Sequence, residues 1–436
     1  MPVLSEASSR PLTKPASLDG LPASDAEIGL DQALALLAKR CVPVVGLETV
    51  PLTEAHGRVL AKDIIATIDS PPFANAAMDG FAVRHSDLSS SDETTSLRIV
   101  ARIAAGHPAH RTFGSGEAAL IFTGAPLPCG LDTVVMQENC TLEDRQGQDF
   151  VLVPTGGVAG RHVRPAGEDF AAGTVVVRAG RRLLPHHVAL AATVGRSTLP
   201  VYRRLRVAVF STGDEIIEPG HPLPPGSVYT SNRFALMALA RGLGCHVDDL
   251  GNLPDRFDAT CRAFSDAAQR YDLLITSGGV SVGGEDHVRD AVRSLGALLP
   301  WKLSIRPGKP TALGQIGDAS FIGLPGSPVA AQIAFMILAR PAILRLSGAV
   351  GEPISPQRFR VTAAATFSKN HSGRQFVRSR LKAGPDGTPQ AEPCGTPATS
   401  GGYSPDGEGL VDMTEDSRHI VPGEMVDFIP YQTMQW

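Results

Sequence analysis

The sequence predicts a multidomain chain of α/β plus β class, and three observations carry that reading. Strand-like and helix-like runs alternate at βαβ spacing from Arg206 to the helix beginning at Val329. Short β runs broken by Gly and Pro fill Leu97 to Val153 and return after Gly348. The length of 436 residues, with 45 Gly and 35 Pro, suits two to four domains rich in turns. The expected architecture is a central doubly wound α/β domain, an N-terminal mixed domain with an inserted β domain, and a C-terminal β-barrel-like domain. The boundaries are read as a disordered tail over 1–23, an N-terminal linker domain over 24–66 and 158–204, the inserted β domain over 67–157, the α/β domain over 205–348 and the barrel over 356–436.

In the N-terminal part, Ser24 with Glu27 fits a capping box, and Leu30, Leu34 and Leu37 recur on one helix face. Asp63 to Ala66 reads as a strand. Met78-Asp79-Gly80 looks like a turn presenting a carboxylate before another strand; its commoner use is a turn aspartate followed by Gly80 at positive φ. Ala118 to Phe122 and Thr133 to Met136 are strand runs, separated by Thr123-Gly124-Ala125-Pro126-Leu127-Pro128, too proline-rich for a helix or central strand. The Thr123 hydroxyl either binds an anion or closes a turn. Arg161, Arg164, Glu168 and Asp169 form a charged loop that is either simply solvated or faces an anion or metal. A helix follows from Pro185 to Val194.

In the α/β part, Arg206 to Phe210 is a buried-strand run that leads into Ser211-Thr212-Gly213-Asp214-Glu215. Ser231 caps a helix through Arg241, closed by Gly242 and Gly244. Cys245 to Leu250 makes a second strand, with Asp255 in the loop after it. Phe257 to Arg270 is helical by its spacing of Cys261, Phe264 and Ala268. Tyr271 to Thr276 is a strand, and His287 to Leu295 a helix with Val288, Val292 and Leu295 on one face. Ile275 to Asp286, around the junction, holds four glycines, two serines and two carboxylates. Glycines let the backbone approach an anion, and helix N-termini attract its charge. A parallel sheet with helices on both faces, wound right-handed, places the strand-end loops on one rim. That rim would collect Glu215, Asp255 and Asp286. Ser304 to Pro310 adds Arg306 and Lys309 around a Pro-Gly turn, which lacks the glycine and hydroxyl of a Walker loop. After a last strand, Ser320 to Leu324, Pro325-Gly326-Ser327-Pro328 turns into the helix at Val329. Beyond Gly348, Arg358 to Thr366 and Arg378 to Leu381 read as barrel strands.

Composition narrows the function. Lys plus Arg is 40 against 44 Asp plus Glu, a net charge of −4, which offers no basic field for nucleic acid or anionic lipid. Cysteines 41, 129, 140, 245, 261 and 394 contain no C-x-x-C pair, so they read as free thiols of a cytoplasmic, reducing compartment. The apolar helix Val329 to Leu338 is too short to span a bilayer. Carboxylates converging on a rim repel unless a hard cation such as Mg²⁺ lies between them, and cations with N–H donors beside them suit phosphate or another oxyanion. The residues alone therefore point to metal-assisted phosphoryl or oxyanion chemistry.

Several runs also carry a family resemblance. They are Pro71-Pro72-Phe73 through Asn75 to Met78-Asp79-Gly80-Phe81-Ala82-Val83-Arg84, the Thr123 to Pro128 loop and Val134 to Glu138. Arg164 with Gly167-Glu168-Asp169, Ser211 to Glu215, Thr276 to Gly283, Pro307-Gly308-Lys309-Pro310 and Leu324-Pro325-Gly326 complete the set. In order and spacing, from about Ser24 to the C-terminus, the chain resembles the MoeA family of molybdopterin molybdenumtransferases, which includes the E domain of gephyrin. The resemblance implies Mg²⁺-dependent insertion of molybdate into adenylylated molybdopterin, with release of AMP, to give molybdenum cofactor. It implies four domains per chain, a MogA-like central domain that binds molybdopterin, and a homodimer with its site at the subunit interface. Molybdopterin adenylyltransferase and molybdoenzyme chaperones are the implied protein partners. Asp79, Thr123, Asp169, Glu215, Asp255, Asp286 and Lys309 occupy the family's catalytic positions, and Glu215, Asp255 and Asp286 its metal positions. Ser277, Gly278, Gly279, Ser281, Gly283, Arg306, Gly308, Pro325, Gly326, Ser327, Arg378 and Ser400 match substrate-binding positions. Arg306 stands where the family often has lysine, Ser327 replaces an asparagine, and Ala76 replaces a serine; these changes bear on fine contacts with substrate. The alternatives are a molybdopterin adenylyltransferase, which shares the Gly-Gly-Val-Ser loop, and a non-catalytic pterin-binding scaffold.

Overall fold

The structure is a computed structural model that describes residues 27–88, 92–280, 287–394 and 406–435. The chain divides into two compact units. The larger contains the chain up to Lys62, Ala179–Leu184 and everything from Thr198; the smaller contains Asp63–Arg178 and Pro185–Ser197.

The larger unit is built on a seven-stranded sheet. Its elements in chain order are β1 (Glu27–Ile28), α1 (Leu30–Arg40), β2 (Arg206–Thr212), α2 (Asn232–Gly242), β3 (His246–Leu253), α3 (Phe257–Ala268), β4 (Leu273–Ser277), α4 (His287–Leu295), β5 (Gly296–Leu303), β6 (Pro310–Ile316), β7 (Ala319–Leu324) and α5 (Pro328–Leu346). The strand order is β1-β5-β6-β7-β4-β2-β3. β2, β3, β4 and β7 are mutually parallel, as the alternation of strand and helix predicts. The all-parallel expectation fails at the other side, where β6 runs antiparallel to both β5 and β7. β5 and β6 were not foreseen, because Pro300 and two glycines interrupt their apolar runs. The reversal keeps the loop rim intact. β5, β7, β4 and β2 all end on one side of the sheet, and β6 begins there.

Adjacent residues of these strands point to opposite faces. Val207, Val209, Leu273, Ile275, Ile322 and Leu324 pack under α1, α2 and α5. Ala208, Phe210, Leu274 and Phe321 pack under α3 and α4, where the Phe264 ring lies 5.5 Å from Phe210 and 5.6 Å from Phe321. Each such Val, Leu, Ile or Phe side chain contributes roughly 1.5–3 kcal/mol of burial, so two covered faces give this sheet a substantial core.

Three local readings are corrected. Glu27 lies in β1, paired with Lys302, and α1 starts after Gly29, so no Glu27 capping box forms; the edge of β5 supplies a tertiary partner that outweighs the capping signal. Ser24 lies outside the described residues. Ser231 stands at the start of α2 without a side-chain capping bond. The apolar helix is longer than Val329 to Leu338. It runs 19 residues, with a wide π-type turn over Phe335–Ala339 just before Pro341, whose missing N–H would break a regular α-turn. By length and apolarity it could cross a bilayer, yet 89% of its most apolar 18-residue stretch is buried within the fold.

The C-terminal strands β8 (Phe359–Ala363), β9 (Arg374–Ala383), β10 (Pro389–Pro393), β11 (Gly409–Met413) and β12 (Met425–Pro430) close into a five-stranded barrel in the cyclic order β9-β10-β8-β12-β11. Closure follows from β9 pairing with both β10 and β11. Within the barrel wall Asp412 accepts two hydrogen bonds from the Arg374 guanidinium, at 2.7 and 2.8 Å, and one from Arg358 at 3.0 Å. Ile305–Arg306 pairs in parallel with the start of β9.

The smaller unit holds a six-stranded sheet in the order Thr133–Met136, Gly80–Val83, Glu117–Ile121, Thr94–Ile103, Gln148–Pro154, Thr141–Arg145. Two short ladders join Asn75–Ala76 to Val163–Arg164 and Ile64–Ile65 to Val175–Val177.

Candidate active site

The β-strand rim of the larger unit frames a cavity of about 550 Å³. Thr212 and Gly213 enter it from the end of β2, Ser277 to Val280 from the end of β4, and Pro325 and Gly326 from the end of β7. Glu215, Asp255, Asn232 and Pro310 complete the parts that bear on chemistry. Ligand clefts of α/β sheets occupy this position outside the carboxyl ends of strands.

Backbone geometry shapes the wall. Gly278 and Gly279 have φ of +94° and +67°. A Cβ on Gly279 would lie 2.4 Å from Val288 Cγ2, and one on Gly278 would lie 2.8 Å from Thr212 Oγ1. Glycine is therefore required twice over, by conformation and by space. Gly213, at φ +130°, lets the Glu215 carboxylate fold back over the loop; a Cβ there would lie 2.3 Å from Glu215 Oε2.

A polar network holds the loops together. Asn232, the first residue of α2, donates to Ser277 Oγ and to the Gly326 carbonyl, both at 2.7 Å. Ser277 Oγ in turn donates to the Pro325 carbonyl at 3.1 Å. Two strand ends, those of β4 and β7, and a helix start thus share one hydrogen-bond chain, and Asn232 Oδ1 is left buried without a donor among the described residues. Sequence reading missed Asn232, which belongs to no recognised motif. Its signal was only its place beside Ser231 at a helix start.

Glu215 and Asp255 are exposed, and neither is paired with a cation among the described residues. The Asp255 backbone N–H donates to Asp214 Oδ1 at 3.2 Å, tying the two carboxylate-bearing loops together. Two free carboxylates on one cavity form a hard, oxygen-only donor set suited to a small divalent cation such as Mg²⁺. Asp286, the third expected ligand, lies outside the described residues, as do Ser281, Gly283 and Ser400. Among the described residues alone, three metal-binding side chains do not converge.

The Arg306 to Pro310 turn is closed by the Leu303 N–H on the Lys309 carbonyl and by Thr311 Oγ1 on the Gly308 carbonyl. Gly308 has φ +117° and is buried, while Arg306 and Lys309 are exposed. The Lys309 ammonium pairs with the Glu27 carboxylate, so its charge is shared with β1. Ser327 precedes α5 without capping it through its side chain. Arg378, on β9, has a buried Nε with no acceptor among the described residues.

Asp79, Thr123 and Asp169 belong to the smaller unit. Thr123 donates to Asp79 Oδ1 twice, from its backbone N–H and from its hydroxyl, each at 2.7 Å. The backbone bond, then the hydroxyl bond, hold the Asp79 carboxyl below the ordinary aspartate value. The hydroxyl of Thr123 therefore serves Asp79. Gly80 is not at positive φ; it is glycine because a Cβ would lie 2.0 Å from the Val135 carbonyl oxygen of the neighbouring strand. Asp169 accepts from Arg164 at 2.7 Å and from Ser70 Oγ at 3.2 Å, while Arg164 also holds Glu168 at 2.5 Å.

A doubly covered α/β sheet with a carboxylate-bearing, glycine-walled rim cavity, followed by a closed barrel, defines a multidomain α/β protein whose cleft suits a phosphate or another oxyanion. Comparison with known proteins sharpens this. Residues 28–195 match the family described as MoeA N-terminal region (domain I and II), and residues 208–345 match a probable molybdopterin binding domain. The chain is 41% identical over 319 residues to the molybdopterin molybdenumtransferase of Haemophilus influenzae, covering 73% of this chain and 78% of that one. It is 37% identical over 368 residues to molybdopterin molybdenumtransferase 2 of Mycobacterium tuberculosis, covering 80% and 86%. The crystal structure of the molybdopterin biosynthesis MoeA protein from Pyrococcus horikoshii OT3 superposes with a TM-score of 0.78 at 25% identity, covering 93% of this chain and 100% of that one. The chain belongs to the MoeA family of molybdopterin molybdenumtransferases, enzymes of molybdenum cofactor biosynthesis.

Proposed function

We propose that this enzyme inserts molybdate into adenylylated molybdopterin, releasing AMP, and that it requires Mg²⁺ for the step. The observation that carries the reading is the shared cavity of Glu215, Asp255 and the Ser277–Gly279 loop. Cation-free carboxylates and a glycine-lined backbone on one wall suit a metal-bound pyrophosphate. Glu215 and Asp255, with Asp286, are read as the Mg²⁺ ligands. Bound there, Mg²⁺ would neutralise and polarise the phosphate oxygens.

The protein's own part is positioning. Gly278 and Gly279 let the substrate phosphates approach the main chain, and Asn232 keeps that wall in register with the Pro325–Gly326 turn. Arg306, Lys309 and Arg378 are the cations read as gripping molybdate, with Gly308, Pro325, Gly326 and Ser327 shaping the surroundings. Asp79, Thr123 and Asp169 are assigned catalytic roles in the other unit. We read the working form as a cytoplasmic homodimer with its site at the subunit interface. The molybdopterin adenylyltransferase would supply substrate, and molybdoenzyme chaperones would receive product.

The test is incubation of purified protein with adenylylated molybdopterin, molybdate and Mg²⁺, following AMP. Molybdate-dependent AMP release is expected. Consumption of ATP on free molybdopterin would instead identify an adenylyltransferase, and tight pterin binding without turnover would identify a scaffold.

A further inference from the structure

A second concentration of positive charge lies on the larger unit, away from the rim cavity in the residues that build it. Arg340, on α5, is only 8% exposed. Its Nε and Nη1 are buried and meet no acceptor among the described residues. Arg182, half-buried, also has a buried Nε without an acceptor; its Nη2 reaches the Gly242 carbonyl at the end of α2, at 3.2 Å. Arg182 repels Arg340, and Arg204, which donates to the Gly244 carbonyl at 2.9 Å, repels Arg182. One carboxylate, Glu352, attracts both guanidinium groups, and its Oε1 already accepts the Arg182 backbone N–H at 3.2 Å. Burial pushes both arginines below the usual guanidinium range.

Buried polar groups in folded proteins are almost always hydrogen-bonded, and an orphaned one calls for a water or ion. Arginine stays charged under ordinary conditions, so an uncompensated buried guanidinium is costly. Two guanidinium groups with unmet donors and one shared carboxylate lack a negative charge and several acceptor oxygens. A tetrahedral oxyanion supplies both, and the planar fork of arginine matches its oxygens bidentately.

We propose that Arg182 and Arg340 form a structural binding site for a small oxyanion of the phosphate or sulfate type. The anion would link the Ala179–Leu184 segment to α5 near the end of α2.

The experiment is a thermal melt of the full chain with inorganic phosphate, compared with chloride at matched ionic strength. Wild type is expected to gain about 1–2 °C for each tenfold rise in phosphate above its dissociation constant. Arg340→Met should melt at or above wild type without phosphate and show a smaller phosphate gain, because an apolar isostere removes the unpaired charge along with the site. Arg182→Met should also show the smaller gain. Phosphate bound at the rim cavity affects all three proteins alike and cancels in the comparison. Equal phosphate gains in wild type and in the variants that fold would overturn the proposal, as would an equal effect of chloride. Wild-type crystals grown with saturating tungstate give an independent reading. An anomalous peak within hydrogen-bond reach of both guanidinium groups is expected, and its absence refutes the site even if neither variant folds.

Discussion

The Asn232 side-chain amide donates to the Ser277 hydroxyl at 2.7 Å, joining the start of α2 to the end of β4 in the lining of the cavity. Its companion bond to the Gly326 carbonyl makes one side chain responsible for the spacing of two cavity-lining turns. Asn232→Ala should therefore act on the site more than on the fold. Losing the two bonds corresponds to about 1–3 kcal/mol, which predicts a fall in kcat/KM for AMP release on the order of 10- to 100-fold with a small change in Tm. A normal kcat/KM would show that the turns hold their spacing without Asn232.

Glu215→Gln and Asp255→Asn each remove one charge from the cavity while keeping shape. Both side chains are exposed, so folding should be unaffected. AMP release should drop on the order of 100-fold, and the Mg²⁺ concentration needed for half-activity should rise. Steady-state assays across a Mg²⁺ titration check both; an unchanged Mg²⁺ dependence would remove these carboxylates from metal binding.

The Asp79 carboxyl owes its low pKa first to the Thr123 backbone N–H and then to the Thr123 hydroxyl. A folded-state value below the unfolded one contributes stability at pH above the unfolded value, and that stability is lost as pH falls through the folded value. Thr123→Val keeps the backbone donor and deletes the hydroxyl. The Asp79 carboxyl should move part of the way back up, and its protonation on acidification should begin at a higher pH. A carbon NMR titration with selectively labelled aspartate reads this directly. No movement would mean that the hydroxyl bond is absent in solution.

The Arg374–Asp412 pair is buried in the barrel wall and bonded twice. Arg374→Met leaves Asp412 with only Arg358 as a cationic partner among the described residues and should cost about 3–5 kcal/mol. Arg374→Met with Asp412→Leu should cost less than the sum of the two single changes. Urea denaturation of the three variants measures the coupling, and strict additivity would contradict it.

Much of the rim was legible before the structure. Glycines at Gly278 and Gly279, and carboxylates just past strand ends at Glu215 and Asp255, are local patterns. The right-handed winding of alternating strands and helices brings such patterns to one side. Asn232 was not legible, because its role lies in bonds to residues 45 and 94 positions away. The antiparallel β5–β6 edge was hidden for a similar reason: its stability comes from pairing across a loop, which no periodicity within either segment reports. The alternative of Gly80 at positive φ fails, and the reason for its glycine was hidden, because the Val135 carbonyl that excludes a Cβ there belongs to another strand.

By itself the sequence determined the alternation of strand and helix that gives β2, β3, β4 and β7 their parallel order, and the family. Propensity, apolar spacing and motif chemistry are properties of neighbouring residues and survive in one dimension. Tertiary structure alone decided which polar atoms are paired. It committed the Thr123 hydroxyl to Asp79, matched Lys309 with Glu27, and left Nε and Nη1 of Arg340 without an acceptor among the described residues. Hydrogen bonds and ion pairs depend on distances of a few ångströms between segments far apart in the chain, and only packing sets those distances.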